Sequence, residues 1–136
     1  MKPDKYFQGI IKNKRDEMDS GFPEELARRE VETIFFLLKT FYNIDYAGPN
    51  YKVVDLGCGE GILKKYFEDK NFEYKGYDIE DLNIEKDKID LEDESVDLVI
   101  NIGLIEALES AENLISESKR ILKKGGIFYT LTVNWN

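Results

Sequence analysis

An α/β fold with a parallel, doubly wound sheet is predicted by three features of this sequence. From residue 51 onward, short β-branched runs alternate with stretches of helical periodicity, the pattern that lays crossover helices over a parallel sheet. The first of those runs breaks into a glycine-rich turn, Gly57-Cys58-Gly59-Glu60-Gly61, ahead of a helix. Finally, 136 residues with 42% hydrophobic and 35% charged side chains suit one globular domain with a packed core rather than a disordered chain.

The elements follow in order. Residues 1–22 are polar, with Lys12, Lys14, Arg15, Asp16, Glu17 and Asp19 close together, and read as an N-terminal arm ahead of a domain at 23–136. A solvated arm or short helix is the simple reading; a flap over a site is the functional one. Ser20 or Gly21 can cap the next helix, Pro23 suits its first turn, and Glu24 and Glu25 match the positive end of its dipole. Val31, Ile34, Phe35, Leu38, Phe41 and Tyr42 form its apolar stripe, read as core packing. Gly48-Pro49-Asn50 closes this segment.

Tyr51 to Leu56 is the first strand, and Ile62, Leu63, Tyr66 and Phe67 recur at helical spacing until Asn71. Phe72 to Tyr77 is the second strand, ending at Asp78. Residues 80–94 are acidic and irregular, with a short strand expected near Leu82–Ile84. Val96 to Asn101 reads as a buried strand, followed by a turn at Gly103. Ser110 can cap a helix from Ala111 to Lys124, which Gly125-Gly126 would end, and Ile127 to Val133 is the last strand.

Charge and composition exclude several functions. The net charge of −9 argues against duplex nucleic acid as a partner. No apolar run approaches the ~18 residues of a membrane span, and Met1-Lys2-Pro3-Asp4 opens no secretory leader. The single cysteine, Cys58, cannot form an internal disulfide, so a reducing, cytoplasmic setting is expected. With no histidine in the chain, Ser-His-Asp hydrolases, Cys-His proteases and nearly all zinc enzymes fall away, and no metal site is expected.

The strand–glycine–helix unit carries the chemistry. Gly57, Gly59 and Gly61 allow a tight turn and close approach of a ligand, and the helix start beyond them offers free N–H groups. Ligands of open α/β sheets bind beyond the carboxyl ends of the strands. Asp55 ends the first strand, where it can accept from a ligand amine or tie down the loop. Asp78 ends the second strand, 21 residues after Gly57, where a carboxylate can accept two ribose hydroxyls or stand as a turn residue. A dinucleotide fingerprint would place its third glycine at position 62, which is Ile62; this spacing disfavours a nicotinamide-dependent oxidoreductase.

Taken whole, VVDLGCGEG at residues 53–61 resembles motif I of class I S-adenosylmethionine (SAM)-dependent methyltransferases. The resemblance continues through GYDIE, DESVDLVIN and NLISESKRILKKGGIFYTLTVNW, the successive motifs of methyltransferase-11-like members, over about residues 51–135. It implies a Rossmann-like sheet of order 3-2-1-4-5 and S-adenosyl-L-methionine as cofactor. Asp55, Gly57, Cys58, Gly59 and Gly61 would line the methionine part. Asp78 would bind the ribose hydroxyls and Ile79 would pack on the adenine face, with Asn83 or Asp87 at the adenine edge. Asn101, Ile102 and Gly103 would border the methyl group. Glu106, following the fourth strand, is the candidate general base, with a solvated helix-start acid as the alternative. Cys58 reads as a packed residue, Asp97 as a structural acceptor, and Lys119 to Lys124 as a helix C-terminus effect.

Methyl transfer to a small-molecule or sugar-type acceptor is the implied activity; a SAM-binding but catalytically silent subunit is the alternative. Two departures from the family bear on this choice. Ala107 stands where related sequences often carry histidine, and Asp90, Lys124 and Val133 replace common prolines, changes on the acceptor side of the site. The sequence ends at Asn136, just past the fifth strand, so the family's C-terminal strand hairpin is lacking. Ile127, Phe128, Leu131 and Val133 would then form an apolar edge. Homo-oligomerisation, a partner chain on that edge, or truncation of a longer chain would each account for it, and association is the expectation.

Overall fold

In a computed structural model, residues 22–44 and 50–132 are described. Residues 1–21 of the predicted arm, with the Ser20 or Gly21 cap, Gly48-Pro49 and Val133 lie outside them, while Phe22, the arm's last residue, begins a helix. The chain divides after Asn43 into two units.

The described part of the first unit is helix α1 (Phe22–Tyr42). Its apolar stripe buries Ala27, Val31, Ile34, Phe35 and Leu38, whereas Phe41 and Tyr42 are exposed. These two were expected in the stripe. They fall in the last turn, beyond Leu38, just before Asn43 adopts a left-handed backbone at φ 51° and the helix stops. The opposite face carries exposed pairs at helical spacing, Arg28–Glu32 at 2.9 Å and Arg29–Glu25 at 3.3 Å.

The second unit is a parallel sheet of β1 (Lys52–Leu56), β2 (Glu73–Tyr77), β3 (Val96–Ile102) and β4 (Leu122–Leu131), in the order β2-β1-β3-β4. Between them lie helix α2 (Lys64–Glu68), a 3₁₀ turn (Ile105–Ala107) and helix α3 (Glu112–Ile121). The inner strands are buried on both faces, with Val53, Val54, Leu56, Val96, Leu98, Val99 and Ile100 at most 2% exposed; this is why they read as continuous apolar runs. On one face Val54, Leu56 and Val99 pack in a cluster that includes Leu114 and Ile121 of α3, Ile84, Ile89 and, at the strand's start, Val96. On the other, α2 contributes Phe67, which meets Phe72 edge-on at 5.5 Å and stacks on Tyr74 at 5.9 Å. The fold is thus the α/β, Rossmann-like, doubly wound arrangement expected from the sequence.

Two expectations need correction. The strand near Leu82–Ile84, outermost in the order 3-2-1-4-5, is absent among the described residues, where the four strands take the remaining order 2-1-4-5. Residues 80–94 form turns instead. Backbone groups at Ile84, Asp87, Ile89 and Leu91 are satisfied by one polar stripe of α3 at Asn113, Glu117 and Arg120. Asn113 Nδ2 donates to the Ile84 and Asp87 carbonyls at 2.7 and 2.9 Å. The Ser110 amide donates to Glu85 at 2.9 Å and the Ile89 amide to Glu117 at 2.7 Å. Arg120 donates to the Ile89 and Leu91 carbonyls, each at 2.8 Å. A backbone held this way needs no neighbouring strand.

The second correction concerns α3, which ends at Ile121 rather than Lys124. The Glu94 and Ser95 amides donate to the Arg120 and Ile121 carbonyls at 3.0 and 2.8 Å, and Leu122 already pairs with Val96. Gly125-Gly126 therefore lies within β4 as a bulge. Between the pairs Val96–Leu122 and Leu98–Ile127, β4 carries three more residues than β3. Gly125 takes φ +77°, and a Cβ on Gly126 would lie 2.8 Å from the Lys123 carbonyl oxygen. Among the described strands β4 is an edge, with Phe128 and Leu131 each 36% exposed.

Candidate functional site

Strand register aligns the candidate residues. Asp55 pairs with Gly76, and Leu56 pairs with both Tyr77 and Asn101. The residues that follow these pairs, Gly57, Asp78 and Ile102, lie at one level, the carboxyl edge of the sheet. The Gly57 and Cys58 amides both donate to the Tyr77 carbonyl, at 2.7 and 3.1 Å, which locks the glycine loop to the end of β2. A Cβ on Gly57 would meet Leu104 at 3.2 Å, so the loop after β3 closes against the same point. Gly57, Gly59 and Gly61 take φ of +78°, +57° and +77°, and a Cβ on Gly59 or Gly61 would meet nothing within 4 Å. The loop backbone there borders open space.

Asp55 is 3% exposed. Burial pushes its carboxyl up to about 6, against a hydrogen bond from Tyr74 that favours the ionised form, with Asp78 adding repulsion. Tyr74 Oη donates to Asp55 Oδ2 at 2.5 Å. Gly76, opposite Asp55, makes room for this contact: a Cβ there would lie 2.8 Å from Cys58 Sγ and 3.3 Å from the Tyr74 ring. Burial, then repulsion from Asp55, Asp78 and Asp81, raises the Cys58 thiol to about 11. The thiol therefore stays protonated at neutral pH, in keeping with a packed residue.

Asp78 is half-buried; its amide donates to Asp81 Oδ2 at 2.9 Å, and its carbonyl accepts from the Asp81 and Leu82 amides. Ile79 beside it is 44% exposed. Asn83 and Asp87 form a turn of their own: Asn83 Oδ1 accepts from the Glu85 amide at 3.1 Å and Asp87 Oδ2 from the Asn83 amide at 2.9 Å.

Beyond β3, Gly103 takes φ +69° and its amide donates to the Leu131 carbonyl at 2.8 Å. Asn101 is fully buried. Because paired residues of parallel strands share a face, its side chain lies on the face opposite Asp55. Thr130 donates to its oxygen at 3.1 Å, while its Nδ2 is buried without a hydrogen-bond partner among the described residues. Glu106, in the 3₁₀ turn, accepts from the Thr132 hydroxyl at 2.6 Å. Asp97 is at the opposite, amino end of the sheet, accepting from the Lys52 amide at 2.8 Å and pairing with Lys123 at 3.2 Å, the structural role expected of it. Among the described residues no cluster of His, Cys, Asp or Glu could hold a metal ion, and no helix is long and apolar enough to cross a membrane.

Two residues matter here that sequence reasoning missed. Tyr74, the partner of Asp55, was signalled only by Tyr74-Lys75-Gly76, where the glycine faces the acid. Arg120, which the sequence places among Lys119 to Lys124 as a helix C-terminus effect, bonds Glu117, Asp93 and two carbonyls, a contact set that explains it without the helix dipole.

The glycine loop and flanking acids agree with what comparison with known proteins finds. The model of a family described as a methyltransferase domain matches residues 17–136. This chain belongs to that family. A ubiquinone biosynthesis O-methyltransferase of Pelagibacter ubique (strain HTCC1062) is 31% identical over 103 residues, covering 62% of this chain and 43% of the relative. Among solved structures, a candidate SAM-dependent methyltransferase of Methanococcus maripaludis matches with TM-score 0.52 and 19% identity, over 75% of this chain and 62% of its own. A protein of Pyrococcus horikoshii OT3 matches with TM-score 0.52 and 26% identity, over 74% and 55%. The chain thus spans less than half of its curated relative and under two thirds of these structures.

S-adenosyl-L-methionine is the cofactor of this methyltransferase family, and the residues present fit it on two observations. The backbone at Gly59 and Gly61 borders open space, and three carboxylates, Asp55, Asp78 and Asp81, act on the Cys58 thiol at the loop's centre. A cationic sulfonium and ammonium suit such a neighbourhood.

Proposed function

We propose that this methyltransferase-family chain binds S-adenosyl-L-methionine at the carboxyl ends of β1, β2 and β3 and transfers its methyl to a small molecule, including one of sugar type. The open left-handed backbone of the glycine loop, flanked by Asp55 and Asp78, is the observation that carries this reading. The bound cofactor supplies a methyl made electrophilic by the sulfonium. The chain's own residues bind and align: the Cys58–Gly61 backbone and Asp55 take the methionine end, Asp78 the ribose hydroxyls, Ile79 the adenine face and Asn83 its edge. Asn101, Ile102 and Gly103 border the reacting end. Proximity and alignment supply most of the acceleration in such a transfer, so no histidine is needed for an acceptor that is already nucleophilic. The name of the Pelagibacter relative supports an oxygen acceptor. A cytoplasmic setting and strand pairing on the β4 edge, by a second copy or a partner, belong to the same proposal.

A catalytically silent, SAM-binding subunit is the second reading. Ala107 and the engagement of Glu106 by Thr132 favour it, since both withhold a base from the acceptor side. Incubation with SAM labelled in its methyl group and a pool of small-molecule acceptors separates the two. Labelled product is expected on the first reading; tight SAM binding without transfer supports the second, and no binding removes both.

A further inference from the structure

We propose that Tyr74 is a positioning residue of the cofactor site, its hydroxyl holding one oxygen of Asp55 so that the other is presented, ionised, to the ligand's ammonium group. The inference rests on the cofactor reading above and adds a residue to it.

The geometry starts from register. Tyr74 pairs with Val53, and Gly76 pairs with Asp55, so Tyr74, Gly76, Val53 and Asp55 share one face. Since Gly76 has no side chain, Tyr74 reaches diagonally past it to Asp55 Oδ2 at 2.5 Å. Its ring is stacked on Phe67 of α2 at 5.9 Å and 28°, which fixes the direction of the hydroxyl. Tyr74 is the hydrogen-bond donor to Asp55 among the described residues and reaches Oδ2; Oδ1 is not one of the buried atoms left without a partner, so it is open to the space at the loop. A carboxylate this buried is costly unless its acceptor sites are filled, so the structure keeps an acceptor in reserve at the loop.

The groups that face Asp55 set the consequence. Tyr74 of β2 donates to it, Asp78 at the end of β2 repels it, and the Cys58 thiol lies beside it. β3 presents only Ile100 at the paired position. The tyrosine hydroxyl thus favours the charged form of Asp55, against burial and Asp78. Removing it leaves the acid protonated over a wider pH range, and a protonated Asp55 offers no charge to an ammonium.

The test uses the full chain and Tyr74→Phe, which keeps the stacked ring. Carboxyl-carbon NMR of Asp55 in the ligand-free protein should show its titration midpoint rising by about one pH unit in the variant; an unmoved midpoint overturns the proposal. Calorimetry with S-adenosylhomocysteine should then show roughly three-fold weaker binding by the variant near pH 6.5, converging with wild type by about pH 8. A merely structural role would weaken binding equally at every pH, and that outcome also overturns it. Asp55→Asn, close in shape, should flatten the wild-type profile, which keeps the test decisive even if Tyr74→Phe folds poorly; a profile unchanged by Asp55→Asn counts against the proposal. Absence of binding by the wild-type chain at every pH removes the cofactor reading and the positioning role together. Wild-type binding with an unmoved Tyr74→Phe profile removes the positioning role alone.

Discussion

Two buried carboxylates in this domain have opposite surroundings. Glu117 of α3 and Asp55 of β1 are 7% and 3% exposed. Glu117 meets Arg120 at 2.6 Å and accepts the Ile89 amide at 2.7 Å. Its hydrogen bond from Arg120 is the main cause that holds its carboxyl below the usual range. Asp55 has one neutral donor, Tyr74, and burial lifts it to about 6. The first acid is spent on structure, pinning residues 84–93 to α3. The second has unused acceptor capacity at a loop bordered by open space. Burial alone does not mark a functional acid; burial with an unfilled acceptor does.

The largest effect expected from breaking this comparison is at Arg120. Arg120→Ala strands Glu117 as a buried, uncompensated charge, and should destabilise the domain by about 3–5 kcal/mol in chemical denaturation. A loss below about 1 kcal/mol would show that the pair behaves as a surface ion pair and that residues 84–93 are held by something else.

Asp55→Asn should do the reverse. A carboxyl whose folded value is raised from 3.8 to about 6 binds more protons folded than unfolded across that window, so its contribution falls as pH rises from about 4 through 6. Removing the charge should therefore stabilise the protein at neutral pH by on the order of 2–3 kcal/mol, even as cofactor affinity drops. Glu117 has the opposite sign: its contribution is present above the ordinary carboxylate range and is lost as pH falls below it. Denaturation profiles of Asp55→Asn and Glu117→Gln against pH should accordingly tilt in opposite directions. Parallel profiles would erase the distinction.

How far the sequence discloses these two sites depends on how local each one is. Asp55, Gly57, Gly59 and Gly61 sit within seven residues, and strand–glycine–helix is a pattern of adjacent positions, so that half of the site could be read directly. Tyr74 could not, because its contact spans 19 residues and depends on which residue of β2 faces Asp55. The polar stripe of α3 was hidden for a similar reason. Asn113, Glu117 and Arg120 look like a solvated helix face until residues 84–93 are laid against them. The same contacts explain why Leu82–Ile84, apolar enough for a strand, is a turn. The overrun of α3 into Leu122 arose because Leu122 continues the helical period, while its pairing with Val96 is a tertiary fact.

The smallest effect belongs to α1. Arg28 and Glu32 form a 2.9 Å pair with side chains more than half exposed, and Arg28→Ala should cost only a few tenths of a kcal/mol. A thermal shift comparable to that of Arg120→Ala would mean that exposure and partner count do not rank these charges.

The acid at the end of β2 gives the most direct test of the cofactor site. Calorimetric titration of the wild-type chain and Asp78→Ala with S-adenosylhomocysteine, with NAD as the control ligand, should show wild-type binding to the first only. The variant should bind it more weakly by about 1.5–3 kcal/mol, the worth of charged hydrogen bonds to the ribose. Equal affinity in the two proteins, or binding of NAD in place of S-adenosylhomocysteine, would contradict the account.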